Sequence, residues 1–159
     1  MLSIKESAMA LKLPYIKNNY VEALKEAHLK DMNHEQFLDW LLKAELDLRQ
    51  SNSIITKTRN AKFPYKMILD DYERNHLSVE IRQKIKVLET LEFVENGENI
   101  ILIGNPGTGK TALSIALGMK LCQLQKNVLF ISVPNLLIEL REAMSKNQIT
   151  QYKKKFEMK

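Results

Sequence analysis

An α/β core preceded by an all-helical region is the fold class that this 159-residue sequence predicts. Three observations carry it. Through the first 60 residues apolar positions recur every three to four residues, with no strand-like run. Beyond residue 78 short β-branched apolar runs, 100–103 and 128–133, are set between helical stretches, the alternation of an α/β sheet. A glycine-rich turn joins the first of these runs to the helix that follows.

The elements follow in order. Ser3 with Glu6 forms a capping-box signature for a short helix that ends near Pro14, where a second helix begins. Ile16, Tyr20, Leu24 and Ala27 give that second helix one apolar stripe. Asn33 with Gln36 starts a third helix, whose stripe is Phe37, Trp40, Leu41, Ala44 and Leu48 and whose polar end extends toward Asn60. Residues 61–77 break the period around Pro64 and read as a linker. Residues 78–96 carry Ile81, Ile85, Leu88 and Leu91 at helical spacing, with Gly97 where a left-handed C-cap belongs. The run 100–103 reads as a buried parallel strand, residues 110–125 as a helix, and 128–133 as a second strand. Pro134 fits the first turn of a last helix faced by Leu136, Leu137, Leu140 and Met144. The division is therefore a helical region 1–60, a linker 61–77 and an α/β region 78–159.

Composition narrows the function classes. Hydrophobic residues make up 45% and Gly plus Pro only nine positions, which excludes fibrous and wholly disordered chains. One cysteine, Cys122, excludes a disulfide framework and is expected to be a small buried apolar residue. No apolar run approaches the roughly 18 residues that span a bilayer, and the N-terminal residues lack a signal-peptide pattern, so the expected location is the cytoplasm. The net charge of +5 favours an anionic partner. Lys57, Arg59, Lys62 and Lys66 fall in a stretch without acids, and the tail holds Lys146, Lys153, Lys154, Lys155 and Lys159 against Glu157. Either cluster has the charge to track a phosphate backbone or to form a solvated helix face. His28, His34 and His76 lack ligand spacing, and Trp40 and Tyr20 sit on helical stripes as core residues do.

One motif carries chemistry. Gly104, Asn105, Pro106, Gly107, Thr108, Gly109, Lys110 and Thr111 satisfy GxxxxGK[ST] between an expected strand and an expected helix, the context of a phosphate-binding P-loop. The glycines let backbone N–H groups reach phosphates without an intervening Cβ, and the helix start adds its positive end. Lys110 is expected between the β and γ phosphates of ATP, and the Thr111 hydroxyl on Mg²⁺. Asp70 and Asp71 end an apolar run as magnesium-organising acids do, but they precede the loop and read as turn or cap residues.

With that loop placed, nearly the whole chain resembles the N-terminal part of the IstB-like helper ATPases of insertion-sequence transposition, AAA+ relatives of the DnaC-like helicase loaders. The resemblance rests on residues 11–14, FLDWLLKAELDLR at 37–49, AKFP at 61–64, LETLEFVENGENIILIGNPGTGKTALSIALG at 88–118 and VLFISVPNLLIEL at 128–140. It implies a P-loop NTPase core, a helical region engaging DNA and partner proteins, and ATP-dependent homo-oligomeric assembly that directs a transposase to DNA. A replicative helicase is the alternative partner, and a DNA-binding or interaction fragment with a vestigial loop the alternative role. The sequence departs from the family at Lys159, ahead of the family's Walker B strand, sensor residues and arginine finger, so nucleotide binding without hydrolysis is expected. Residues 100–103 and 128–133 are then expected to expose unpaired edges, and the chain to associate. DNA contact is expected at Lys57, Arg59 and Lys62, and the base pocket in residues 63–72.

Overall fold

A computed structural model describes residues 3–157. Among them it shows eight α-helices and one 3-10 turn, divided into two compact units, residues 1–53 and 54–159.

The first unit holds α1 (Ile4–Ala10), α2 (Pro14–Leu29) and most of α3 (His34–Asn60). Both capping boxes read from the sequence are formed: Ser3 with Glu6 starts α1, and Asn33 with Gln36 starts α3. Between α1 and α2 the chain turns through Lys12 at φ +56°, and the Leu13 N–H donates to the Ala8 carbonyl at 2.8 Å. Pro14 occupies the first turn of α2, where its missing donor costs nothing. Leu13 offers α2 no side-chain cap, and the carboxylate of Glu45 on α3 takes that role, its Oε2 accepting from the Ile16 N–H at 3.0 Å. Glu45 is buried for this reason, alongside Ala8, Ala23, Ala27 and Leu41. The expected stripe on α2 is rotated slightly: Ala23 and Ala27 are buried, and Leu24 is half exposed.

The second unit begins within α3. Ala61 is fully buried, its carbonyl accepts from the Phe130 N–H at 2.8 Å, and the Phe63 and Phe130 rings lie 6.2 Å apart. The Phe63 ring approaches α6 (Lys110–Gln123) at Gly118 so closely that an added Cβ would meet it at 2.9 Å. Residues 61–77 are thus built into this unit, with a 3-10 turn at Leu69–Asp71 that contains Asp70 and Asp71. Arg74 fastens that turn by donating to the Leu69 carbonyl at 3.0 Å and pairing with Glu89. Tyr72, Ile85, Leu91, Leu113 and Leu117 form the core.

The expected helix over 78–96 is two helices, α4 (Val79–Glu89), capped by Ser78, and α5 (Glu92–Glu95). Leu91 breaks it at φ +64°, a conformation costing about 1–2 kcal/mol in a non-glycine residue. Burial of the Leu91 side chain returns about 1.5–3 kcal/mol. Gly97 ends α5 at φ +68°, as its position implies.

The strands expected at 100–103 and 128–133 are absent: no β-strand occurs among the described residues. A strand exists only through a neighbouring ladder, and neither segment has one here. Leu102 packs toward the core while Ile101 and Ile103 are 82% and 91% exposed. At the other segment the Ser132 side chain accepts from the Asn135 N–H and starts α7 (Val133–Ser145), which takes Val133 into the helix with Pro134 in its first turn. The tail forms α8 (Ile149–Glu157), the helix that the solvated-face reading of its lysines allowed; Lys159 lies outside the described residues.

Candidate nucleotide site

The glycine-rich turn leads into α6 through Gly109, whose φ of +80° no β-carbon favours. Gly107 has the same φ with open space where a side chain would stand. Helices α1, α3, α4 and α7 each have a first-turn N–H bonded to a Ser or Asn side chain. Helix α6 has no side-chain cap and no acid in its first turn. Its first-turn donors and dipole are left facing the glycine-rich turn, the arrangement that receives phosphate oxygens.

The Lys110 ammonium folds back over that turn. It donates to the Gly104 carbonyl at 2.8 Å, the Asn105 carbonyl at 2.6 Å and the Thr108 hydroxyl at 3.2 Å. Thr108 in turn donates to the Asn105 carbonyl at 2.9 Å. Three ammonium protons thus meet three oxygens of the loop, which satisfies the lysine's donors within the loop and shapes the turn. Phosphate oxygens are stronger acceptors for those protons than neutral carbonyls, so an incoming polyphosphate can take over the same donors. Thr111 is exposed on the first turn of α6, and Asn105 and Pro106 are exposed at the tip of the loop. The motif residues therefore stand together, and their donor set suits an anionic phosphate chain.

Beneath the loop, Tyr72 is the residue that the motif did not reveal. Its hydroxyl and ring edge would meet a Cβ on Gly109 at 3.0 to 3.4 Å, and burial pushes its phenol above the ordinary value. A cavity of about 740 Å³ runs from Gly104, Thr108 and Lys110 to Tyr72 and the apolar face of α4 at Ile81 and Leu88, with no carboxylate in its wall. The 63–72 segment expected at the base pocket is divided: Tyr72 lines this cavity, while Phe63 and Tyr65 line another of about 590 Å³ with Arg59 and Lys66. Among the residues expected at DNA, Lys57 donates to the Asn127 side chain at 2.6 Å, and Arg59 and Lys62 are exposed. Cys122 is fully buried, and burial raises its thiol. Among the described residues no group of three His, Cys, Asp or Glu side chains could hold a metal ion, and no helix is long and apolar enough to cross a membrane.

The model of the family described as IstB-like ATP binding protein matches residues 6–158. An insertion sequence IS21 putative ATP-binding protein of Pseudomonas aeruginosa is 31% identical over 87% of this chain and 52% of its own length. An insertion sequence IS5376 putative ATP-binding protein of Geobacillus stearothermophilus is 31% identical over 88% of this chain and 56% of its own. A Bacteroides fragilis relative named IS21-like putative ATP-binding protein is 30% identical over 72% of this chain and 57% of its own. The chain spans about half the length of these relatives. On a match that covers almost every residue and includes the glycine-rich loop, the chain belongs to the IstB-like ATP-binding family.

Proposed function

We propose that this chain binds MgATP at Gly104, Asn105, Pro106, Gly107, Thr108, Gly109, Lys110 and Thr111 and serves as an ATP-binding helper of insertion-sequence transposition. The observation that carries the reading is the uncapped start of α6 behind a glycine-rich loop whose lysine is already folded onto it. Lys110 holds the β and γ phosphates, and Thr111 supplies the hydroxyl for Mg²⁺. The cavity beside the loop has no acid to organise that ion or to orient water, which supports nucleotide binding without turnover by these residues. The relatives' names favour transposition over helicase loading, and a transposase is the corresponding protein partner.

Single-stranded or distorted DNA is the nucleic-acid partner supported at Arg59 and Lys62. Arg59 lies beside Phe63, Tyr65 and Lys66, an aromatic and basic combination that accepts backbone charge and a stacked base. Titration of the chain with a fluorescent ATP analogue and Mg²⁺ tests the nucleotide site. Lys110→Ala is expected to weaken binding on the order of 100-fold, because it removes a charge-assisted contact to phosphate. Unchanged affinity would refute the assignment. For DNA, replacing Arg59 and Lys62 by Ala should lower affinity and make the slope of log affinity against log salt shallower, by about one for each phosphate that is no longer neutralised. An unchanged slope would place the DNA contact elsewhere.

A further inference from the structure

The first unit contains an open cavity of about 610 Å³ at the junction of α1 and α2, lined also by Arg49 of α3. Its construction is specific. Lys12 in the left-handed region brings the end of α1 back against the start of α2, and Arg49 donates to the Lys12 carbonyl at 2.9 Å. Met9, Leu11, Leu13 and Pro14 supply an aliphatic wall, while Lys12, Lys17 and Arg49 supply three cations. No Asp or Glu lines it. Glu45 is buried with one oxygen on the Ile16 N–H, and Glu6 is bound to Ser3 at the far end of α1. Met9 and Leu11 remain 59% and 68% exposed beside these cations.

We propose that this cavity docks an acidic peptide segment of a partner protein, one that presents aliphatic side chains to Met9, Leu11 and Leu13 and carboxylates to Lys17, Lys12 and Arg49. Charge complementarity demands an anionic occupant, since three cations surround a wall without acids. The wall then decides between anionic partners. Nucleic-acid bases are held by aromatic platforms, and this cavity has none; Leu, Ile or Met anchors spaced along an amphipathic helix fit an aliphatic groove. The assignment is independent of the nucleotide and DNA sites, all of which lie in the second unit.

Fluorescence anisotropy of the 159-residue chain with a labelled helical peptide of Leu at every third or fourth position and Glu between tests the proposal. Binding is expected to weaken about tenfold for Lys17→Glu and again for Met9→Asp. The same peptide with Gln for Glu should also bind weakly. Far-UV circular dichroism verifies that each variant remains folded; Arg49 is left intact because its bond to Lys12 is structural. No binding by the parent chain near 1 mM, equal binding by Lys17→Glu and Met9→Asp, or preference for the Gln peptide would overturn the proposal. So would tighter binding of a dT oligonucleotide that disappears in the same variants, which would assign the cavity to nucleic acid.

Discussion

At Gly109 two demands meet on one residue. The backbone must turn at φ +80° to begin α6, and the Tyr72 hydroxyl and ring crowd the place of a side chain, at 3.0 to 3.4 Å from an added Cβ. Gly107 shares the φ but has open space around it, so the pair separates backbone strain from crowding. Gly107→Ala is expected to lose about 1–2 kcal/mol, the left-handed penalty alone. Gly109→Ala should lose about 1 kcal/mol more, because Tyr72 is held in the core and its ring must yield. Urea denaturation of both variants measures the difference, and equal losses would show that Tyr72 gives way freely. Spacing alone revealed the glycine requirement, since the motif encodes a turn before a helix. The Tyr72 contact was illegible because 37 residues of chain separate the partners and neither carries a local signal of the other.

Helices were readable where caps and periodicity agree, and each cap now has a measurable contribution. Ser132→Ala removes the acceptor for the Asn135 N–H and is expected to cost about 1 kcal/mol, with the loss confined to α7. The capping box at α1 adds a pH dependence. The Ser3 backbone N–H, with its hydroxyl second, holds the Glu6 carboxyl below its ordinary 4.5. A depressed carboxylate stabilises the folded helix above its unfolded value, and that contribution disappears as pH falls through the lower folded value. The slope of stability against pH below about 4.5 should therefore be shallower in Glu6→Gln; an unaltered slope would mean that the box contributes nothing in solution. Periodicity also misled. It ran unbroken through Leu88 and Leu91, and so concealed the left-handed break at Leu91, which tertiary burial imposes. The runs 100–103 and 128–133 have strand-forming composition, but ladder pairing is a property of neighbours rather than of the run itself. In α8, Tyr152 and Phe156 meet edge to face at 5.1 Å on a face that the surrounding lysines obscured.

For the whole molecule, the unpaired apolar segment before the glycine-rich loop is expected to govern behaviour in solution. Isolated exposed apolar residues are ordinary, but Ile101 and Ile103 alternate with inward Leu102, the pattern of a strand with one face and an edge uncovered. Covering both isoleucines would contribute roughly 3–6 kcal/mol, and association itself costs about 4–15 kcal/mol. The gain overlaps only the low end of that cost, so with the neighbouring backbone donors and acceptors weak self-association is expected at high concentration. The net charge of +5 opposes association only at low ionic strength, where screening is poor. Sedimentation velocity is therefore expected to show a weight-average coefficient that rises with protein concentration and with salt. Ile101→Lys with Ile103→Lys should abolish that rise while changing unfolding free energy by no more than about 0.5 kcal/mol, since both side chains are already solvated. A coefficient that stays monomeric in the parent chain would mean that the segment is harmless as an edge. Equal association by the doubly substituted chain would instead transfer the interface to another surface.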